Sequence, residues 1–153
     1  MGAYFLYPRS RGSTHAGSRD PAEQPRILAN YLADALDRDT SVRAMKLLRA
    51  IAARGPLARF IVREVRPAEK ARSDEEVLEY VRNTGQTCWH PCGTCRMGSD
   101  EGAVVAPDLK VRGIEGLRVV DASVMPFLVS SNTNIPVIMI AEKAADLILA
   151  RSA

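Results

Sequence analysis

Hydrophobic positions change their period along this chain. Ala3 to Tyr7 is a short apolar and aromatic run closed by Pro8, which predicts a strand, and Ser10 to His15 reads as an edge strand of poor alternation. Asp20-Pro21 and Gln24-Pro25 predict turns, because the residue before a proline is pushed out of the helical region. From about Asp39, Val42, Met45, Leu48 and Ile51 recur every three residues, with Leu47 broadening the stripe and Arg43, Lys46 and Arg49 outside it. That pattern predicts a helix capped by Asp39, Thr40 or Ser41 and stopped at Gly55-Pro56, with a second short helix over 57–65. Ser73-Asp-Glu-Glu76 is a capping box, and Val77, Leu78, Tyr80 and Val81 give the helix behind it an apolar face.

The second half is different. Residues 85–102 are rich in loop formers, Val104-Val105 and Leu109-Lys-Val111 predict short strands around Pro107, and Leu117-Arg-Val-Val120 predicts a compact β-branched strand ending at Asp121. Polar residues follow, then a helix over about 135–150 with Pro136 in its first turn, where a missing N–H costs nothing. No internal repeat or low-complexity tract interrupts this order.

Composition narrows the classes. The 153 residues are one domain in size, and 46% apolar with 25% charged is ordinary for a globular chain. Lys and Arg number 21 against 18 Asp and Glu, and apart from a basic stretch around Arg43 to Arg66 no like-charged block occurs, which argues against nucleic acid as a partner. The longest apolar stretch, Ile135 to Ala141, is far short of the roughly 20 residues a membrane-spanning helix needs, though association with a membrane surface stays open. The opening Met1 to Pro8 lacks the basic flank and apolar length of a secretory signal. Cys88, Cys92 and Cys95 cannot complete a disulfide framework, so a reducing cytoplasmic location is expected.

Candidate chemistry sits in two segments. Cys88-Trp-His-Pro-Cys-Gly-Thr-Cys-Arg-Met-Gly98 carries His90 in a Gly- and Pro-punctuated loop, and Ser130-Ser-Asn-Thr-Asn-Ile-Pro136 carries two amides before the last helix. An imidazole with an amide donor is a common way to handle the proton of an alcohol, and a fold can bring the two segments together. A backbone-bonded loop histidine is the plainer reading of His90. Asn134 is expected to cap the last helix, leaving Asn132 as the freer amide beside the positive helix end. Asp121 is read either as a group at the carboxyl end of a strand, facing a ligand crevice, or as a simple turn former. The cysteines are read as small buried thiols with no metal; the rival is a zinc site on Cys88, His90, Cys92 and Cys95, and a redox role for the CxxC lacks the usual strand-to-helix setting.

At these residues the chain resembles the glucose-methanol-choline (GMC) oxidoreductases, FAD-dependent alcohol oxidases and dehydrogenases, and most of all their choline dehydrogenase-like branch. The matching motifs are His90-Pro-Cys-Gly-Thr-Cys-Arg-Met-Gly98, Gly116-Leu-Arg-Val-Val-Asp-Ala-Ser-Val-Met-Pro126, and Ser131-Asn-Thr-Asn-Ile-Pro136 leading into Met139-Ile-Ala-Glu-Lys-Ala-Ala-Asp-Leu-Ile148. The opening, Tyr7-Pro-Arg-Ser-Arg-Gly-Ser13 and Pro25 to Tyr31, is similar to the start of the family's C-terminal region. The resemblance implies an α+β fold: part of an antiparallel-sheet substrate domain (residues 1–85), and a catalytic segment (86–153) whose last strand and helix complete the FAD domain. It implies that His90 accepts the hydroxyl proton of a primary alcohol with Asn132 as its partner, while hydride passes to FAD. Asp121 and Ala122 would contact the ribityl and phosphate region, and Asn132, Thr133, Asn134 and Pro136 would lie against the flavin.

One departure stands out. The Gly-x-Gly-x-x-Gly turn on which these enzymes hold the adenylate occurs nowhere in the chain. The expectation is therefore a C-terminal piece of the architecture, with FAD supplied largely by an N-terminal part in the same polypeptide or a partner chain. A remnant of the fold that has lost FAD is the second reading.

Overall fold

The computed structural model describes residues 1–67 and 71–150. Helices and a small sheet are mixed, and the chain divides into two compact units, Met1–Cys88 and Trp89–Ala153.

In the first unit, β1 (Ser13–His15) pairs antiparallel with β2 (Arg26–Leu28), Thr14 opposite Ile27. The edge strand is thus shorter than expected and finds its partner just after Pro25, a segment read from sequence only as a turn. A side chain at Gly12 would collide with the Leu28 and Ala29 carbonyls, so glycine is what lets the two backbones close. The predicted strand at Ala3–Tyr7 does not form; it has no strand to bond to among the described residues, and Tyr4 and Tyr7 stay exposed.

Helix α1 runs Ala35–Ala52, four residues longer at its start than the apolar stripe predicts. Asp34 caps it, accepting the Leu36 N–H at 2.7 Å. The extension follows from a buried polar residue. Asp37 is only 2% exposed, and its carboxylate accepts the Arg9 N–H (2.9 and 3.1 Å), the Ser10 N–H (2.7 Å) and the Ser10 hydroxyl (2.5 Å). Ser41, also buried, donates its hydroxyl back to the Asp37 carbonyl at 2.8 Å. The buried face therefore begins with two polar residues, which a count of apolar positions cannot register.

A short turn of helix, α2 (Gly55–Ala58), replaces the longer second helix expected over 57–65. Helix α3 (Asp74–Thr84) starts at the predicted capping box: Ser73 Oγ accepts the Glu76 N–H at 3.2 Å, and Glu76 Oε2 accepts the Ser73 N–H at 2.9 Å. Hydrogen bonds from the Ser73 and Arg72 backbone N–H groups hold the Glu76 carboxyl below the usual range. Val42, Ala71 and Val77 form the core of this unit, flanked by Met45, Leu78, Tyr80 and Val81. Burying a valine as fully as Val77 contributes about 1.5–3 kcal/mol. Lys46 reaches Asp74 at 2.6 Å, an exposed pair worth little beside that.

The second unit is mostly loop around its own core. Val105, Leu109, Val124, Met125, Ile140 and Ala144 are buried together, with Cys92, Met97, Val120 and Ala122 packed against them. None of the three strands predicted here forms. Val104-Val105, Leu109–Val111 and Leu117–Val120 make isolated bridges instead, Met97 to Val105, Val105 to Val111 and Lys110 to Arg118. These segments bond to one another at scattered points, such as Val111 N–H to the Leu117 carbonyl (3.0 Å) and Val119 N–H to the Leu109 carbonyl (3.1 Å), with no continuous edge to extend. Helix α4 (Asn134–Leu149) closes the unit. It is apolar nearly all round, yet only Ile140 and Ala144 are buried on it. Among the described residues no helix is long and apolar enough to cross a membrane.

Candidate active site

Apart from Cys88, both candidate segments lie in the second unit, and the backbone there explains why His90 is held. Cys95 N–H bonds to the Ser123 carbonyl at 3.0 Å and Met97 N–H to the Val124 carbonyl at 2.8 Å, zipping the residues after His90 to the loop before α4. Gly93, with φ +87°, makes the turn between them, and a Cβ there would press on the Met125 carbonyl at 3.3 Å. Cys92 and Met97 lie on the core, while Val124 and Met125 are part of it. The loop is further braced from outside. Arg96 grips both oxygens of Asp100, at 2.9 Å from Nη1 to Oδ2, and Arg112 donates to the Asp100 and Ser99 carbonyls. The Arg96 hydrogen bonds hold the Asp100 carboxyl far below the usual aspartate range.

His90 is half-buried and touched on both ring nitrogens. Asn132 Nδ2 lies 3.4 Å from Nε2, and Thr133 Oγ1 lies 3.1 Å from Nδ1. The three residues come from segments more than 40 positions apart, so the fold has assembled a histidine, an amide and a hydroxyl in one place. Trp89, next to it in the chain, is 79% exposed, with its backbone in the left-handed region at φ 61°.

The capping part assigned to Asn134 from sequence falls to Asn132. Asn134 is the first helical residue, and the capping position falls on Thr133, whose side chain makes no cap bond. Asn132 Oδ1 accepts the Asn134 N–H at 2.9 Å. Asn132 thus serves the helix end with its oxygen and faces His90 with its nitrogen. The cause is local: Thr133 is already helical in φ and ψ and its hydroxyl is turned to His90, so the first polar side chain able to fold back is one residue earlier.

Asp121 is exposed and accepts the Ser123 N–H at 2.7 Å, capping the 3₁₀ turn Ala122–Val124, so the turn-forming reading describes one of its oxygens. Ala122 packs on the core. Pro136 is half-buried in the first turn of α4. The rival zinc site is not assembled: among the described residues no group of three or more His, Cys, Asp or Glu could hold a metal, and no disulfide links Cys88, Cys92 or Cys95. Sequence reading missed the Thr133 contact with His90 Nδ1, for which no local pattern gives a signal.

Chemically, the cluster offers an imidazole edge and an amide donor toward solvent. A hydroxyl oxygen arriving there can hydrogen-bond to both, accepting from the amide and donating to the ring.

The chain is similar to known proteins along most of its length. A family model described as GMC oxidoreductase matches residues 8–141. An alcohol dehydrogenase [acceptor] of Pseudomonas putida is 46% identical over 144 residues, and an oxygen-dependent choline dehydrogenase of Cronobacter sakazakii is 46% identical over 143; each alignment covers 94% of this chain and 26% of the relative. The solved structure of an FAD-dependent oxidoreductase from Chaetomium thermophilum superposes with a TM-score of 0.86 at 30% identity, over 96% of this chain and 26% of that one. The chain spans about a quarter of the length of these proteins. With the family model spanning most of its residues and these relatives aligned along nearly all of it, the chain belongs to the GMC oxidoreductases, in their C-terminal region.

Proposed function

We propose that this chain supplies the proton-handling part of an FAD-dependent, choline dehydrogenase-like active site that oxidises the CH–OH group of a primary alcohol. The observation carrying the reading is the contact of Asn132 Nδ2 with His90 Nε2. At 3.4 Å it is a long contact, easily displaced by a substrate oxygen that bonds better to each partner. His90 Nε2 then takes the hydroxyl proton as general base, and Asn132 Nδ2 donates to the oxygen on which negative charge develops. Bound FAD would supply the acceptor for the carbinol hydride.

The residues present fit the flavin end of that cofactor. Of the first-turn N–H groups of α4, Asn134 is taken by Asn132, Pro136 has none and Val137 bonds to the Thr133 carbonyl, which leaves Ile135 N–H and the positive helix end for an electron-rich ring edge. Ile135 is itself 70% exposed, an apolar surface for a ring face. Asp121 keeps Oδ2 for a ribityl hydroxyl, with Ala122 beside it. Asn132, Thr133, Asn134 and Pro136 would border the ring. The adenylate would be held outside this chain, in residues of the same polypeptide or a partner. In this reading residues 1–85 belong to the substrate-binding domain and 86–153 pack on the FAD domain, which would cover the exposed apolar face of α4.

The test is His90→Ala in the flavin-loaded protein reconstituted with the FAD-binding part that lies outside this chain, assayed with choline, aliphatic and aromatic primary alcohols. Loss of a general base lowers turnover by about 10²- to 10⁴-fold. Turnover that stays at the parental level on every alcohol oxidised would refute the assignment.

A further inference from the structure

We infer that Thr133 is a positioning residue that holds His90 by Nδ1 in the tautomer the Asn132 amide requires, leaving Nε2 as the reacting edge. The inference rests on the proposed function for its meaning, but its geometry stands by itself. The chain of reasoning starts at a backbone bond. Asn132 Oδ1 accepts the Asn134 N–H at 2.9 Å, and a backbone N–H can only donate, so the oxygen end of the Asn132 amide is fixed toward the helix. The end that faces His90 Nε2 at 3.4 Å is therefore the NH₂ group, which can only donate. For that contact to be attractive Nε2 must carry its lone pair, which puts the proton of the neutral ring on Nδ1. Nδ1–H then donates to Thr133 Oγ1 at 3.1 Å, and the hydroxyl, which can accept as well as donate, completes the set.

The arrangement ties three consecutive residues to one function. Asn132 reads the ring at Nε2, Thr133 reads it at Nδ1, and the Asn134 N–H sets the orientation of the amide. A base is useful only if its lone pair points at the proton it takes, so a ring in the other tautomer would present Nε2–H to the substrate hydroxyl and accept nothing. Of the two contacts the one with Thr133 is the shorter, so it holds the ring in register with the donor-only Asn132 amide, which sets the form; without it the ring is freer to turn from that amide and relax toward Nε2–H.

The chain has two histidines, which makes the tautomer directly observable. The protein is labelled with ¹⁵N at histidine in a His15→Gln background, and long-range ¹H–¹⁵N correlation at alkaline pH reads the protonation of each His90 nitrogen without any flavin present. Wild type is expected to show a protonated Nδ1 and a bare Nε2. Thr133→Val should shift the tautomer ratio by about 2- to 10-fold toward Nε2–H, the range one neutral hydrogen bond supports, and Thr133→Ser should restore it. A wild-type ring protonated on Nε2, or a Val variant with the parental ratio, would overturn the inference; because the wild-type spectrum is decisive, a variant that fails to fold does not spare it. In the flavin-loaded protein the Val variant should lower kcat with KM little changed. If His90→Ala leaves turnover intact while the tautomer obeys Thr133, the alcohol-oxidation reading fails and the positioning role survives.

Discussion

Asn132 and Asn134 are joined by a single hydrogen bond, side-chain oxygen to backbone N–H at 2.9 Å, and that bond settles which end of the Asn132 amide His90 meets. Structural and chemical duties thus fall on opposite ends of one side chain, and substitutions can separate them.

Asn132→Asp keeps an oxygen for the Asn134 N–H and adds a negative charge at a helix N-terminus, so folding stability should stay within about 0.5 kcal/mol of the parent. It removes the donor facing His90, and turnover of the flavin-loaded protein on alcohols should fall by about 10²- to 10³-fold, as when one oxyanion donor is lost. Asn132→Ala loses both duties, and should add a stability cost of about 1 kcal/mol to a similar loss of turnover. Chemical denaturation paired with steady-state kinetics reads the two effects. An Asp variant as active as the parent would show that the amide nitrogen plays no part.

How much of this was legible in the sequence depends on the distance over which each interaction acts. The Ser73–Glu76 capping box joins residues three apart, and it forms as read. Asp37 was missed as a buried position because its partners, Arg9 and Ser10, lie 28 and 27 residues away and a polar residue carries no weight in an apolar stripe. Leu47 was counted into that stripe yet is exposed. The strand at Leu117–Val120 has the right composition, but a strand is a property of a pair, and its neighbours here offer only single bridges. In the site, residue type and loop punctuation could locate His90 and Asn132 separately, and only motif resemblance assigned them to each other across 42 residues. The passing of capping duty from Asn134 to Asn132 turns on one residue's backbone angles, below what composition resolves.

Flavin retention checks the division of the cofactor between this chain and residues outside it. In the proposed reading this chain borders the flavin ring and the ribityl chain, and the glycine turn that would bind the adenylate is not among the 153 residues. The purified chain should therefore emerge from gel filtration without the visible absorbance of bound flavin, even after incubation with FAD. Stoichiometric flavin that co-migrates with the chain would mean that the cradle lies within it.

Leu109 tests the core that underlies the His90 loop. It is 4% exposed, packs with Val105, Val124 and Met125, and its carbonyl accepts the Val119 N–H at 3.1 Å. Leu109→Ala should cost about 2–5 kcal/mol through lost burial and the cavity left behind. Leu47→Ala, on an exposed position, should change stability by no more than about 0.5 kcal/mol. Urea unfolding of the two variants separates these outcomes, and equal costs would contradict the burial described here.

Asp37 gives the first unit a signature in acid. Burial raises its carboxyl, but hydrogen bonds from the Arg9 N–H, the Ser10 hydroxyl and the Ser10 N–H outweigh it and hold the group below the ordinary value of 3.8. A carboxyl lowered on folding contributes stability that is fully present above 3.8 and is lost as pH falls through the lower folded value. Asp37→Asn removes that charge and turns an NH₂ group toward groups that themselves donate, so at neutral pH it should cost about 1–3 kcal/mol, the penalty for buried donors left unpaired. The gap between parent and variant should be constant from pH 7 down to about 4 and then narrow as the parent's carboxylate takes up its proton. Denaturant titrations repeated at successive acid pH values measure the gap directly; a difference that persists unchanged to pH 2 would mean that the Asp37 charge does not anchor Arg9 and Ser10 to α1.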